Sequence, residues 1–459
     1  MDLKKNLGQK GDLLRESVRR IINRDFKGYF GSAVKNSLYQ SYTTFVGKIG
    51  GLLFVIILAR LLNPELYGLY SLIIATIFIF ISLTDFSISS AIVKYLSKTI
   101  EKNSRLAKGY FKYLLKLKIL LVSALLLIFI ISSKFIADNY YHKPIFFGLL
   151  AGSIYMICFS MIPFFEEFFR SLNNFKLVFF KEIFTQLSRF IIVLLIVYLL
   201  LDSFSSIESK LALIFLSLSL SYFFSLIFVL FLVKRKAPFL KEKEKKLNKK
   251  QVDELKFFIL PLSLVTLSQV LFSSVNILIL GRYVSAEFIA YYQTADTLIG
   301  AIAPFLAFSV VLFPIFSRLS SKKLEVALEK SITVITFISA ILFLIVMIFA
   351  PLIINLTFGS AYSQSAIFLR IFSFLLFGST LTTVYVSYFI SLGKTKIVAK
   401  WMIAFTIINI ILDYVIIILL INYSELLVTL GIAIVAVAIK FLLLAALIFS
   451  KRKIKKSVK

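Results

Sequence analysis

Residues 37–70 read SLYQSYTTFVGKIGGLLFVIILARLLNPELYGLY, and this stretch decides the fold. Its apolar run, 38–62, is long enough to cross a bilayer, which takes about 20 mostly apolar helical residues. Lys48 stands well inside that run, beside Gly47, Gly50 and Gly51. A cation at such depth costs about 2.5–3.5 kcal/mol on insertion scales, so it is expected to face a wet or polar interior. Helical periodicity puts Gln40, Thr44, Lys48 and Gly51 on one face, expected to line a path through the membrane.

The rest of the chain agrees with that first span. Its 459 residues are 59% hydrophobic and only 16% charged, with a mean hydropathy of +0.94. A soluble core of that size needs a polar surface to match, and this chain lacks one. The expected class is an all-α polytopic membrane protein, because only helices satisfy their own backbone in segments like these. Basic residues outnumber acidic ones 52 to 23. In a soluble protein that excess would suggest nucleic acid. Here the positive-inside bias of cytoplasmic loops accounts for it, and no nucleic-acid partner is expected. One cysteine, Cys158, and one histidine, His142, make neither a disulfide framework nor a typical zinc site. No metal or other cofactor is expected.

Apolar windows recur at 38–62, 69–93, 113–136, 145–168, 177–201, 211–234, 257–280, 290–316, 331–354, 364–391, 397–421 and 426–450, about twelve spans in all. Loops at alternate turns carry the cations: Lys98, Lys102, Arg105 and Lys108, then Arg170 and Lys176, then the run 234–256. Arg318, Lys322 and Lys323 follow, then Lys394 and Lys396. The loops between them, such as 63–68, 355–365 and 422–427, have none. Both termini are therefore expected to be cytoplasmic. Residues 1–37 read as a cytoplasmic amphipathic basic segment with no cleavable signal peptide, Leu14, Val18, Ile21, Ile22 and Phe26 opposing Arg15, Arg19, Arg20 and Arg24. A plain polar tail is the alternative.

The basic linker 235–256 separates two six-helix bundles, 38–234 and 257–450, and a basic tail, 451–459, closes the chain. The bundles look alike. Ile57, Leu58, Arg60, Glu65 and Tyr70 recur at one constant offset as Ile279, Leu280, Arg282, Glu287 and Tyr292. Chance likeness between apolar helices is the competing explanation; a duplication would give a parallel repeat with its axis along the membrane normal.

Soluble-enzyme motifs are absent. Gly393-Lys394-Thr395 resembles the end of a phosphate loop, but Tyr388 stands where its first glycine is required. No Asp-x-Asp pair sits in a polar loop, and the outer loops are too short for the catalytic domain of a membrane sugar polymerase. An enzyme is therefore not expected. What remains are ionisable residues inside spans: Lys48, Asp85, Arg189, Asp296, Arg370, Asp413 and Lys440, with Glu166 and Glu167 nearer an inner end. Such residues are functional candidates by default. Structural pairing, as of Lys48 with Asp85, is the alternative. Polar stripes point the same way: Ser82, Asp85 and Ser89; Thr266, Gln269, Ser273 and Asn276; Tyr292, Asp296 and Gly300. Ordinary helix contacts through small polar residues would also produce them. Cations at mid-depth suit an anionic cargo, since Arg and Lys replace the hydration of a phosphate. Lys48, Arg189, Arg370 and Lys440 are the expected substrate-binding residues. Asp85 and Asp296 are the expected carriers of a coupling proton or sodium ion.

The stretch ARLLNPELYGLY at 59–70 resembles the first-loop signature of the polysaccharide flippases. DFSISSA at 85–91 resembles the segment that follows in their second span, and FGSAY at 358–362 resembles their ninth-span exit. The family belongs to the multidrug, oligosaccharidyl-lipid and polysaccharide (MOP) exporter superfamily. The resemblance implies a MATE-like pair of bundles in the cell (plasma or inner) membrane, in contact with membrane lipids and working by alternating access. It further implies a polyprenyl-(pyro)phosphate-linked oligosaccharide as cargo, flipped from the cytoplasmic to the outer leaflet for surface polysaccharide or glycoprotein assembly. Asn276 departs from the pattern, since relatives often carry an acid there, and this shifts weight to Asp296. A MATE-like drug or metabolite exporter is the first alternative, and a membrane sugar polymerase the second.

Overall fold

Hydropathy alone calls for helices, and the connections are shaped by ordinary capping chemistry. The structure is a computed structural model and describes residues 28–100, 102–243, 245–306 and 321–457. The amphipathic segment expected within 1–37 lies mostly outside these residues, as does Arg318.

Helix α1 (Gly28–Leu61) gives way to α2 (Pro64–Asp85) at a tight corner. Asn63 caps α2 by accepting from Leu66 N at 2.8 Å, and Pro64 occupies the first turn, where its missing N–H is harmless. Then come α3 (Ile88–Thr99) and α4 (Ser104–Lys134), the latter running on through a wider π-type turn, Phe135–Tyr141. Next are α5 (Phe146–Ser171) and α6 (Phe175–Ser188), which continues through a second π-type segment, Arg189–Leu194, into α7 (Leu195–Leu200). Helix α8 (Ile207–Lys236) ends the first half. The second half comprises α9 (Lys249–Tyr283), α10 (Ala286–Leu306), α11 (Ser321–Thr357), α12 (Ser365–Ser373), α13 (Leu375–Ser391), α14 (Thr395–Leu420) and α15 (Glu425–Ser457). Asn248 and Gln251 form a reciprocal capping box at the start of α9.

Among the described residues nine helical stretches are long and apolar enough to span a membrane, or ten if α12 and α13, bent by 42°, count as one. The chain is an all-helical, multi-pass membrane protein. Expected spans seven and eight are present as the helices α9 and α10 but stand outside that set; α10 is described only to Leu306.

The second expected span is not one helix. It breaks at Phe86 and Ser87, both left-handed (φ 41° and 58°), a conformation that costs L-residues roughly 1–2 kcal/mol each. Lys118 of α4 offsets that cost. It is 1% exposed, and its Nζ donates to Thr84 O at 3.1 Å and Thr84 Oγ1 at 3.3 Å, placing a cation on the carbonyl end of α2.

In the first half α5 packs along α8, α1 along α6, and α2, α3 and α4 around α5. In the second, α14 packs on α15 and α9, α10 on α12, and α13 on α15. The halves meet where α2 lies against α9 and α10. From the sparsely charged loop end, here the neutral end, down to mid-depth, one apolar core runs through both halves, including Leu58, Tyr67, Leu280 and Tyr362. Toward the opposite, basic end the core forks. One branch, with Phe111, Phe164 and Phe168, belongs mainly to the first half; the other, with Val384, Phe389 and Leu443, to the second.

The neutral end is also tied by polar bonds that run between the halves. Arg60 donates to Thr357 O at 2.6 Å and also bonds Leu356 O, at the end of α11. Its counterpart Arg282 donates to Tyr140 O at 3.1 Å, in the turn that ends α4. Tyr362 OH reaches back to Ala59 O at 2.8 Å and Leu62 O at 3.2 Å. Gly68 is obligatory here, because a Cβ would lie 1.8 Å from the Ala286 carbonyl oxygen.

Candidate functional site

The glycines that flank Lys48 make room for polar side chains from α6. A Cβ on Gly47 would lie 2.9 Å from Glu182 Oε1, and one on Gly50 2.9 Å from Gln186 Oε1. The result is a cavity of about 480 Å³ inside the first half, bounded by α1, α2, α5, α6 and α8. Arg189 projects into it from the first residue of the π-type segment, a geometry that often re-aims a side chain at working sites. Its guanidinium lies 4.2 Å from the Phe54 ring centre and donates to Gln186 Oε1 at 2.5 Å. Its Nε is buried and has no hydrogen-bond partner among the described residues. A string of polar contacts continues from it. Gln186 donates to Glu182 at 2.6 Å, and Lys181, 3% exposed, pairs with Glu182 at 2.8 Å and also with Glu166. Arg170 pairs with Glu166 and Glu167 and donates to Gln40 Oε1 at 3.2 Å, returning the string to α1.

The second half holds a cavity of about 490 Å³. Asp296 of α10 and Lys440 of α15 both line it, and the Lys440 ammonium rests 4.0 Å from the Phe272 ring centre. Behind them runs a chain of amides. Asn276 Nδ2 donates to Tyr292 OH at 3.1 Å; Asn409 Nδ2 donates to Asn276 Oδ1 at 2.5 Å and to Asp413 Oδ2 at 3.1 Å. Asp413 is fully buried, and its Oδ1 has no partner among the described residues. A buried carboxyl oxygen left in that state is costly unless a proton or cation reaches it.

Lys48 belongs to both cavities. It is exposed and forms no ion pair among the described residues. Of the six residues expected from sequence, the structure therefore brings four together at this paired site: Lys48 at the junction, Arg189 on one side, Lys440 and Asp296 on the other.

Asp85 and Arg370 are placed elsewhere. Asp85 lies at the α2–α3 break, 3.5 Å from Lys118 Nζ, and accepts from Ser89 Oγ at 2.5 Å; its cation partner is thus Lys118 and not Lys48. Arg370 is exposed and lines neither cavity. Its Nε donates to Met347 O at 3.2 Å. That carbonyl is the one that Pro351, inside α11, cannot bond, because proline has no N–H to offer four residues on. Sequence reading missed Lys118, Lys181 and Glu182, which stand near the basic ends of spans and look like solvated flanks. Among the described residues no cluster of three or more His, Cys, Asp or Glu is placed to hold a metal ion.

Comparison with known structures places this architecture. Lipid II flippase MurJ in an inward closed conformation superposes with a TM-score of 0.65 at 17% identity, over 90% of this chain and 87% of that one. An inward-facing multidrug resistance MATE family transporter of the MOP superfamily gives 0.67 at 14%, over 89% and 95%. A MOP superfamily transporter from Pyrococcus furiosus, described as having a binding pocket of reversed polarity, gives 0.58 at 14%, over 94% and 96%. Comparison with curated proteins by sequence gives no match. The family of polysaccharide biosynthesis proteins matches residues 33–320, more than half the chain. With that match over more than half its length, and with the fold that the MurJ and MATE structures share, the chain belongs to the polysaccharide biosynthesis protein family.

Proposed function

We propose that the chain flips a lipid-linked oligosaccharide, carried on a polyprenyl phosphate or pyrophosphate, from the cytoplasmic to the outer leaflet by alternating access. The basic end is taken as cytoplasmic, with both termini on that side of the cell membrane. One observation carries the reading: an exposed, unpaired Lys48 stands where two cavities adjoin, with Arg189 in one and Lys440 in the other. A (pyro)phosphate entering from the basic end meets Lys48 first. Arg189 then offers its unused Nε–H as a charge-assisted donor. Asp296 lines the same cavity as Lys440, so a proton or sodium ion bound there alters the charge that the cargo meets. The sealed neutral end described above is the cargo-loading arrangement, and exit requires the Arg60, Arg282 and Tyr362 bonds to open.

The test uses the protein in vesicles with a fluorescent polyprenyl-diphosphate oligosaccharide, reading the label that becomes reducible from the far leaflet. Lys48→Gln and Arg189→Gln are each expected to slow flipping by about tenfold to a hundredfold, the loss of one charged hydrogen bond. Folded yield should stay unchanged. Wild-type rates in both variants would sink the proposal.

A second reading, a MATE-like exporter of organic cations, draws on the two acids of the second half, Asp296 and Asp413. Counterflow of an organic cation that survives Lys48→Gln and stops with Asp296→Asn would favour it.

A further inference from the structure

A third hollow, of about 1030 Å³, lies at the basic end and belongs to neither cavity. Its walls come from both halves: α3 on one side, α9 and α14 on the other. Lys94, Lys249, Lys250 and Lys396 line it and outnumber the two carboxylates, Asp253 and Glu254. None of the four lysines is in an ion pair among the described residues. Lys94 instead lies 3.7 Å from the ring centre of Phe258 across the boundary between the halves. Thr395 and Lys396 bring in the first turn of α14, whose N-terminus has no side-chain cap and so presents free backbone N–H groups. Beneath this cationic rim the lining turns apolar. Phe257 is 83% exposed, and Phe258 and Leu262 continue from it. A soluble anion would use the rim and leave the aromatic floor uncovered. An anion that carries a hydrocarbon chain uses both.

We propose that this hollow binds one anionic phospholipid of the surrounding leaflet, its phosphate held by Lys94, Lys249, Lys250, Lys396 and the α14 N-terminus, its acyl chain laid along Phe257 and Leu262. Basic pockets between helices at a membrane surface suit such head groups. Because α3 belongs to one half and α9 and α14 to the other, a bound lipid joins the halves at the basic end. Anionic lipid therefore favours the arrangement described here over one in which α3 parts from α9.

Native mass spectrometry of the purified full chain tests the assignment, with phosphatidylglycerol, phosphatidylcholine and inorganic pyrophosphate as probes. Phosphatidylglycerol is expected to be retained over phosphatidylcholine. Each lysine removed should weaken it about fivefold, in Lys94→Gln/Lys396→Gln and, independently, in Lys249→Gln/Lys250→Gln. Lys234→Gln/Arg235→Gln, which removes the same charge from the exposed end of α8, should leave retention as in the wild type. Equal retention of the two lipids, or equal loss in the α8 control, overturns the proposal. So does pyrophosphate that binds alone and displaces the lipid, since the hollow would then be a soluble-anion site.

Discussion

The two cavities are nearly equal in volume, and they treat buried charge in opposite ways. In the first half each charge behind Arg189 is answered by another, from Glu182 and Lys181 through Glu166 to Arg170. In the second half the polar groups behind Asp296 and Lys440 are two amides and a phenol, and the string ends on a carboxyl oxygen that accepts from no donor among the described residues. A closed set of ion pairs holds its charge whatever arrives nearby. An open-ended chain can take up or release a cation. The first cavity is thus suited to hold a fixed positive wall toward a cargo, and the second to respond to an ion.

The most severe way to break that contrast is to remove the centre of the first string. Lys181→Met leaves Glu182 without its cation while Glu166 keeps Arg170, and removal of one partner from such a pair costs about 3–5 kcal/mol. Loss of monodisperse protein in size-exclusion chromatography is the expected result, with recovery when Glu182→Gln is added. The contrast sharpens on the other side with Asp296→Asn, which should cut the dependence of flipping on an imposed proton or sodium gradient severalfold at unchanged yield. An unaltered gradient response would remove Asp296 from coupling. A smaller effect is expected at Arg370, which serves neither cavity. Arg370→Ala should cost about 1.5–3 kcal/mol of thermal stability through the bare Met347 carbonyl. Added to Pro351→Ala, which restores a backbone donor, it should cost far less. The smallest change is at the neutral-end seam between the halves. Tyr362→Phe gives up one hydroxyl proton shared between two backbone carbonyls, about 0.5–1.5 kcal/mol in all. Spin labels at Glu65 and Ser363 should then report a larger population with the neutral end parted.

Much of this architecture is legible in the sequence because hydropathy and helical period act locally. The spans, the corner at Asn63-Pro64 and the likeness of Arg60 to Arg282 all follow from neighbours in the chain, and Lys48, Arg189, Asp296 and Lys440 stood out as charges where lipid forbids them. What stayed hidden depends on partners far apart. The break at Phe86 and Ser87 has no glycine to announce it and is stabilised by Lys118 from the next helix. Lys181 passes for a solvated flank until α5 brings Glu166 beside it. Arg370 misled for a different reason: depth along a helix says nothing about direction around it. Ile367 and Phe374, three residues before and four after, are each 42% exposed and mark that stripe as outward-facing. The stripe was available as a signal, whereas Pro351 as the reason for the arginine was not.

Lys48 serves as the common wall of both chambers, and this has a cost for occupancy. One ammonium cannot give its full attraction to two guests at once. Whatever anion draws it into the first chamber lowers the positive potential in the second and makes room there for a cation. By reciprocity a cation arriving first loosens the grip on the anion by the same factor. Competition for a single side chain would then tie the two traffics together, with no need for a signal to travel through the helices.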